Sequence, residues 1–236
     1  MINAAHTRGD NMLLLLLQIS LFFSRAFSQE KATADVFDFE GKTKLFSYQN
    51  SRTLNGDVES YVAEFKDANT GEVAAAEKAE TRQGVIVRYE VNRPGPKDSG
   101  VIEEKNGKLV FSYNENGKKS EAKEPLKENT LISATLCPFL ESHFADLLAK
   151  KDVDFKYAVW YRKETVGFRF SLDREENGQV IIKMNPTNFL YRSMVNPIYF
   201  TYTKANKKLV SIKGRTLPKR KDGSGWKDFD GLALYK

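Results

Sequence analysis

Two histidines and one cysteine, His6, His143 and Cys137, are all that 236 residues offer for imidazole or thiol chemistry. Nucleophilic catalysis of the Ser–His or Cys–His kind needs the ring within hydrogen-bond reach of the nucleophile. Cys137 stands six positions before His143, outside the three-or-four-residue spacing that brings side chains of adjacent helical turns together. The pair reads as a small buried thiol and a satisfied helix histidine. A zinc site asks for three or four such ligands, which the composition excludes, and one thiol makes no internal disulfide. Asp35 with Asp38, and Asp228 with Asp230, are close in sequence but sit in no calcium-loop pattern. Carboxylate catalysis stays open on composition alone, since it needs only two carboxyl groups facing each other in a cleft. Glu64 and Asp154 are the candidates on well-patterned strands, and both read as outward, solvated side chains. Gly84, Gly95, Gly100 and Gly107 read as turn glycines rather than a phosphate loop. No catalytic residue, metal ligand or cofactor is assigned on these grounds.

The front of the chain is set apart from the rest. Leu13 to Phe23 is an eleven-residue apolar run, preceded by Arg8 and followed by Ala26-Phe27-Ser28 before Gln29. This is the layout of a secretory signal peptide. As a helix the run spans about 16 Å, roughly half a hydrocarbon core, which is short for a permanent anchor. Met12 offers a second start besides Met1, and no Cys follows the run to carry a lipid. With residues 1–28 removed, 208 residues remain, with 35 basic and 30 acidic side chains and His143 as the one histidine. Export to the periplasm removes nucleic acid as a partner for the short basic tract Lys207-Lys208 and Lys219-Arg220-Lys221, which reads as a solvated tail or a membrane-surface contact.

The remaining residues must be positioned by strands. From Lys42 to Lys123 the chain alternates in short runs: Tyr61, Ala63 and Phe65; Glu72 to Ala79, weakened by its alanines; Val85 to Val91; then a loop over Asn92 to Gly100. Asn106-Gly107 and Asn116-Gly117 mark two hairpins, because both central residues of a type I′ turn need positive φ. Pro138 to Lys150 changes period. Phe139, Leu140, His143, Phe144, Leu147 and Leu148 make a stripe at helical spacing, and Pro138 suits the first helical position. A three-turn helix covering one face of the sheet is expected there. Val153 to Tyr161 and Val166 to Leu172 form the next hairpin, and Glu176-Asn177-Gly178 turns into Gln179 to Met184. A helical turn near Phe189 to Met194 and strands at Ile198 to Tyr202 and Leu209 to Gly214 close the series.

Roughly ten antiparallel strands and one helix predict a mainly β domain, because a sheet of this size curls as its strands twist. The expected fold is a curved antiparallel sheet, a half-barrel or open barrel with one covering helix, over residues 29–216. Residues 217–236 are expected as a basic C-terminal tail, and a sandwich is the alternative architecture. Asp154 to Leu172 carries six aromatics, Phe155, Tyr157, Trp160, Tyr161, Phe168 and Phe170, with Phe189 beyond. They are core or the wall of an apolar pocket between sheet and helix, with Arg162 or Arg169 as polar contacts.

The segments PFLESHFADLLAKK, KYAVWYR, GFRFSL, MNPTNFLYRSMVNPIYFTY and LVSIKGR, from Phe46 to Arg215 overall, resemble an uncharacterised family of exported bacterial β-rich proteins. More distantly, the layout resembles the curved half-barrels of the periplasmic and outer-membrane lipoprotein carriers. Those carriers hold acyl chains on the concave face. The resemblance implies that Phe144, Leu148, Phe155, Tyr157, Phe168 and Phe170 face such a ligand. The expected function is non-enzymatic binding of an apolar or amphipathic, lipid-like ligand or an envelope component in the periplasm. An envelope scaffold acting by protein contacts, or a carboxylate-based hydrolase, would fit the same composition.

Overall fold

The computed structural model describes residues 27–193 and 195–236. The expected leader lies outside them except for Phe27 and Ser28, which pair with Asn55 and Leu54. Eight strands follow one another as antiparallel neighbours: β1 (Phe27–Asp38), β2 (Lys44–Asn55), β3 (Val58–Asp67), β4 (Val73–Arg82), β5 (Val85–Arg93), β6 (Asp98–Lys105), β7 (Lys108–Glu115) and β8 (Lys118–Pro125). The hairpin turns form where Asn-Gly predicts them, with φ of 53° and 75° at Asn106 and Gly107 and 51° and 83° at Asn116 and Gly117. The expected loop over Asn92 to Gly100 is instead a tight turn, because Arg93 pairs directly with Asp98 across it.

The second half begins with a short strand, β9 (Thr130–Leu131), and two helices, α1 (Ser133–Ser142) and α2 (Phe144–Leu148). Then come β10 (Val153–Val159), β11 (Glu164–Glu176), β12 (Gln179–Pro186), α3 (Phe189–Arg192), β13 (Ile198–Thr203) and β14 (Leu209–Arg215). A small hairpin, β15 (Arg220–Asp222) and β16 (Gly225–Lys227), precedes β17 (Asp230–Tyr235). The main sheet has fifteen strands in the order β8-β7-β6-β5-β4-β3-β2-β1-β17-β14-β13-β12-β11-β10-β9. Every pair in it is antiparallel except β9 with β10. The protein is mainly β, one curved sheet that does not close into a barrel, as the alternation predicts; three short helices replace the single covering one.

Two differences have clear physical causes. The expected tail contains β17, which lies between β1 and β14 and joins the two halves of the sheet. Its apolar run, Leu232 to Tyr235, is short and follows a charged, glycine-bearing stretch, and its place in the sheet is set by those distant neighbours rather than by local pattern. The expected helix starts five residues earlier, so Pro138 is inside α1, not at its first position. Pro138 has no N–H to give the Ala134 carbonyl. The Arg52 guanidinium takes that carbonyl instead, at 2.6 Å. The helix then breaks at His143, where Ser142 Oγ donates to the Phe139 carbonyl at 2.8 Å and the ring Nδ1 lies 2.9 Å from it. Those side chains occupy the acceptor that the His143 N–H would need to continue the helix.

Two cores flank the middle of the sheet. The first gathers the inward residues of β1 to β7, among them Tyr48, Tyr61, Ala63, Ala79, Tyr89 and Phe111, with Ile132, Ala134, Ala158 and Trp160. The second gathers Leu140, Phe144, Leu147, Phe155, Phe170, Val180, Ile182, Phe200 and Tyr202. The two ends of the sheet are held by side chains rather than a ladder. Glu124 on β8 accepts from the Thr165 N–H at 2.9 Å and its hydroxyl at 2.8 Å, and Lys163 donates to Ser120. Trp160, in the β10–β11 turn, lies over Gly100, where a Cβ would collide with its ring, and stacks under the Arg93 guanidinium 4.7 Å away.

Candidate functional site

Between the two cores the curved sheet encloses a cavity of about 520 Å³, a size typical of small-ligand sites. Its wall is drawn from β1 to β5, α1, β10 to β14 and β17. The half-exposed or exposed side chains on that wall fall into two groups. Glu30, Lys31, Pro138 and Glu141 lie toward the start of β1, beside Arg52, whose strand position pairs with Glu30. Tyr161, Arg162 and Arg215 lie toward the other end, since Arg215 pairs with Asp230 and the next residue of β17 pairs with Asp38. Glu30 and Asp38 are eight residues apart on β1, about 27 Å at the rise of an antiparallel strand. The cavity thus runs along the strands, with a wet end at each side.

Its apolar lining includes Val36, Phe65, Val166, Met184, Ile198 and Ile212. The polar lining is concentrated on the first core. Buried Ala75, Glu77, Ala79 and Thr81 alternate along β4 and share its inward face. Tyr89 donates to Glu77 Oε2 at 2.8 Å, and Ser133 at the start of α1 donates to the same oxygen. Nearby, the Tyr48 and Tyr61 hydroxyls are 2.8 Å apart, and Asn50 donates to Tyr48 at 2.7 Å. Burial pushes the Glu77 carboxyl above the usual range. The same cause raises the phenols: Tyr48 to about 12, and Tyr61, Tyr89, Tyr157 and Tyr235 well above their ordinary value.

Of the six residues expected to face a ligand, Tyr157 and Phe168 line the cavity. Phe155 and Phe170 stack at 4.6 Å, and Phe170 meets Phe200 at 5.6 Å, inside the second core. Phe144 packs on Tyr202 at 5.6 Å, and Leu148 borders the same core, so these four build packing behind the wall. Arg162 does reach the wall, whereas Arg169 forms an outward ion pair with Asp154 at 2.6 Å. Glu64 is likewise outward, accepting from Gln49 at 3.1 Å. Cys137 lines the cavity with its thiol pushed up to about 11 by burial, while His143 is engaged by Ser142 and the Phe139 carbonyl.

Glu77, Tyr48, Tyr61, Tyr89 and Ser133 are the site residues that pattern reading passes over. Alanines made β4 look weak, yet a carboxylate alternating with alanines on one face is itself the signal of an inward acid with room around it. Among the described residues no group of three or more His, Cys, Asp or Glu could hold a metal ion. No described helix is long and apolar enough to cross a membrane. No known family, curated protein or solved structure matches the chain.

Proposed function

We propose that the protein is an exported, periplasmic binder of an apolar or amphipathic, lipid-like molecule, which it carries in the cavity between its two cores. The observation that supports this reading most is a cavity of about 520 Å³ with a largely apolar wall and one concentrated polar patch. Ligand sites are built in this way: an apolar body for affinity and a few placed polar groups for orientation. A hydrolase is less well supported, because Glu77 has hydroxyls rather than a second carboxylate as its hydrogen-bond partners. Mass spectrometry of gently isolated protein tests the proposal. A stoichiometric amphiphile that is lost on Ala233→Phe, which fills the cavity from β17, is the expected result. No bound molecule, together with no uptake of a fluorescent fatty-acid analogue, would overturn it.

A second reading rests on α3. Phe189 and Leu190 are 79% and 68% exposed, next to Tyr191 on the cavity wall. Large apolar side chains exposed together mark contact surfaces, and an envelope component meeting the protein there would face the Arg162 end of the cavity. Phe189→Ser with Leu190→Ser slows uptake of the fluorescent analogue from vesicles without changing its final occupancy. Unchanged kinetics would remove this reading.

A further inference from the structure

Within that binding reading, we propose that the cavity's occupant carries an uncharged oxygen acceptor, a carbonyl or hydroxyl, that accepts a hydrogen bond from Oε1 of Glu77. Glu77 is 4% exposed and lines the cavity. Both of its hydroxyl neighbours, Tyr89 and Ser133, give their single protons to Oε2. Oε1 has no hydrogen bond to any described residue, although it belongs to a side chain on the cavity wall.

No Lys or Arg among the described residues pairs with Glu77; of the cations on the wall, Arg52 borders the patch over the Tyr61 ring, 5.2 Å from its centre, but is engaged by Glu59 and the Ala134 carbonyl. Burial favours the protonated form of the Glu77 carboxyl, and the hydroxyl bonds from Ser133 and Tyr89 oppose it more weakly. With Oε2 already accepting two bonds, that proton belongs on Oε1, which is then a donor without an acceptor. Oε1 is not among the sealed polar atoms left without a partner, so its open side is the cavity that Glu77 lines, and that is where its acceptor comes from.

The groups around it fit a neutral head. Tyr48, Tyr61, Tyr89, Tyr157 and Tyr235 are the titratable side chains nearest Glu77, from β2, β3, β5, β10 and β17, and burial keeps all five phenols protonated. An anionic head group would meet in this patch only Arg52, already held by Glu59 and the Ala134 carbonyl, and buried charge without a free partner is costly. An ester, ketone or alcohol instead receives the Oε1 proton, while its chain lies along Val36, Phe65, Val166 and Ile212. The ligand class is therefore a neutral amphiphile with its oxygen placed mid-cavity, rather than a fatty acid anion with its head at a wet end.

Calorimetric titration of the delipidated protein with methyl laurate, lauryl alcohol, laurate and laurylamine at neutral pH tests this. The ester and alcohol bind about tenfold or more tightly than laurate, the scale of one buried polar mismatch. Glu77→Leu removes that preference. Glu77→Gln keeps it, because the amide accepts from Tyr89 and Ser133 and offers an N–H where Oε1 was. Ester binding by the wild type weakens as pH rises through the raised Glu77 value, and binding by Glu77→Gln does not. Preference for laurylamine would show Glu77 as an anion and overturn the proposal. Equal binding of all four, or Glu77→Leu binding as the wild type does, would overturn it while leaving cavity binding intact. Binding of none would overturn both readings.

Discussion

The two cores solve the same problem with different materials. In the second, large apolar side chains on β10 to β13 meet α1 and α2, and Phe155, Phe170 and Phe200 interlock with Leu140, Phe144 and Leu147. In the first, the inward positions of β1 to β5 hold many alanines and tyrosines, with Ala34, Ala63, Ala75 and Ala79 beside Tyr48, Tyr61 and Tyr89. Among the described helices only the first turn of α1, through Ser133 and Ala134, reaches them. Residue volume and cover decide the outcome: long side chains under a helix pack solid, whereas short ones under open sheet leave a cavity that the tyrosine hydroxyls make partly polar. The first core is closed instead from across the molecule, by Trp160 over Gly100 and by α1 leaning on Arg52.

Truncation separates the two most sharply. Phe170→Ala, at a fully buried position, costs about 3–5 kcal/mol in denaturant unfolding, with ligand uptake per folded molecule unchanged. Trp160→Ala falls in the same range but opens the seam between the sheet ends, so it also loosens ligand retention. Equal effects of both on retention would break the contrast. At the seam itself, Gly100→Ala pushes a methyl into the Trp160 ring and costs about 1–3 kcal/mol. In the Trp160→Ala background the same change is nearly free, and an additive double-mutant cycle would deny the contact.

Arg52→Met leaves the Ala134 carbonyl without a partner and costs about 1–3 kcal/mol. Pro138→Ala restores the missing N–H, so the Arg52 change costs less in that background. For Glu77 the sign is set by burial, which raises its folded value above that of the unfolded chain. Its favourable contribution is complete below the ordinary carboxyl range and is lost as pH rises through the raised folded value. The thermal midpoint of the wild type therefore declines across that window, and that of Glu77→Gln declines less, as melting curves over a pH series would register. Smallest of all, Asp154→Asn and Glu64→Gln, both at outward ion or hydrogen-bonding pairs, leave midpoint and uptake unchanged; a loss of function from either would revive the carboxylate reading.

Local physics made much of this readable in advance. The Asn-Gly turns, the β10–β11 hairpin and the short helix at Phe189 all depend on neighbours in the chain, and each stands where its residues place it. The aromatic hairpin was also recognisable as a place where pocket and core compete, and the structure divides it: Tyr157 and Phe168 on the cavity, Phe155 and Phe170 behind it. What pattern could not supply was anything settled by a distant partner. Pro138 sits inside a helix because Arg52, eighty-two positions before Ala134, satisfies the Ala134 carbonyl that the proline frees.

By itself, then, the sequence determined that this is a β-rich chain with hairpins at Asn-Gly turns, an apolar run at Leu13 to Phe23, two His and one Cys. Alternation and turn propensity are properties of a few consecutive residues, so they survive without knowledge of the fold. Only the tertiary structure decided that Asp230–Tyr235 bridges the halves of the sheet, that four of the six aromatic and aliphatic candidates pack away from the cavity, and that Glu77 is a buried acid on its wall. Burial and the identity of the surrounding side chains are set by the curvature of fifteen strands, and no stretch of sequence carries that curvature alone.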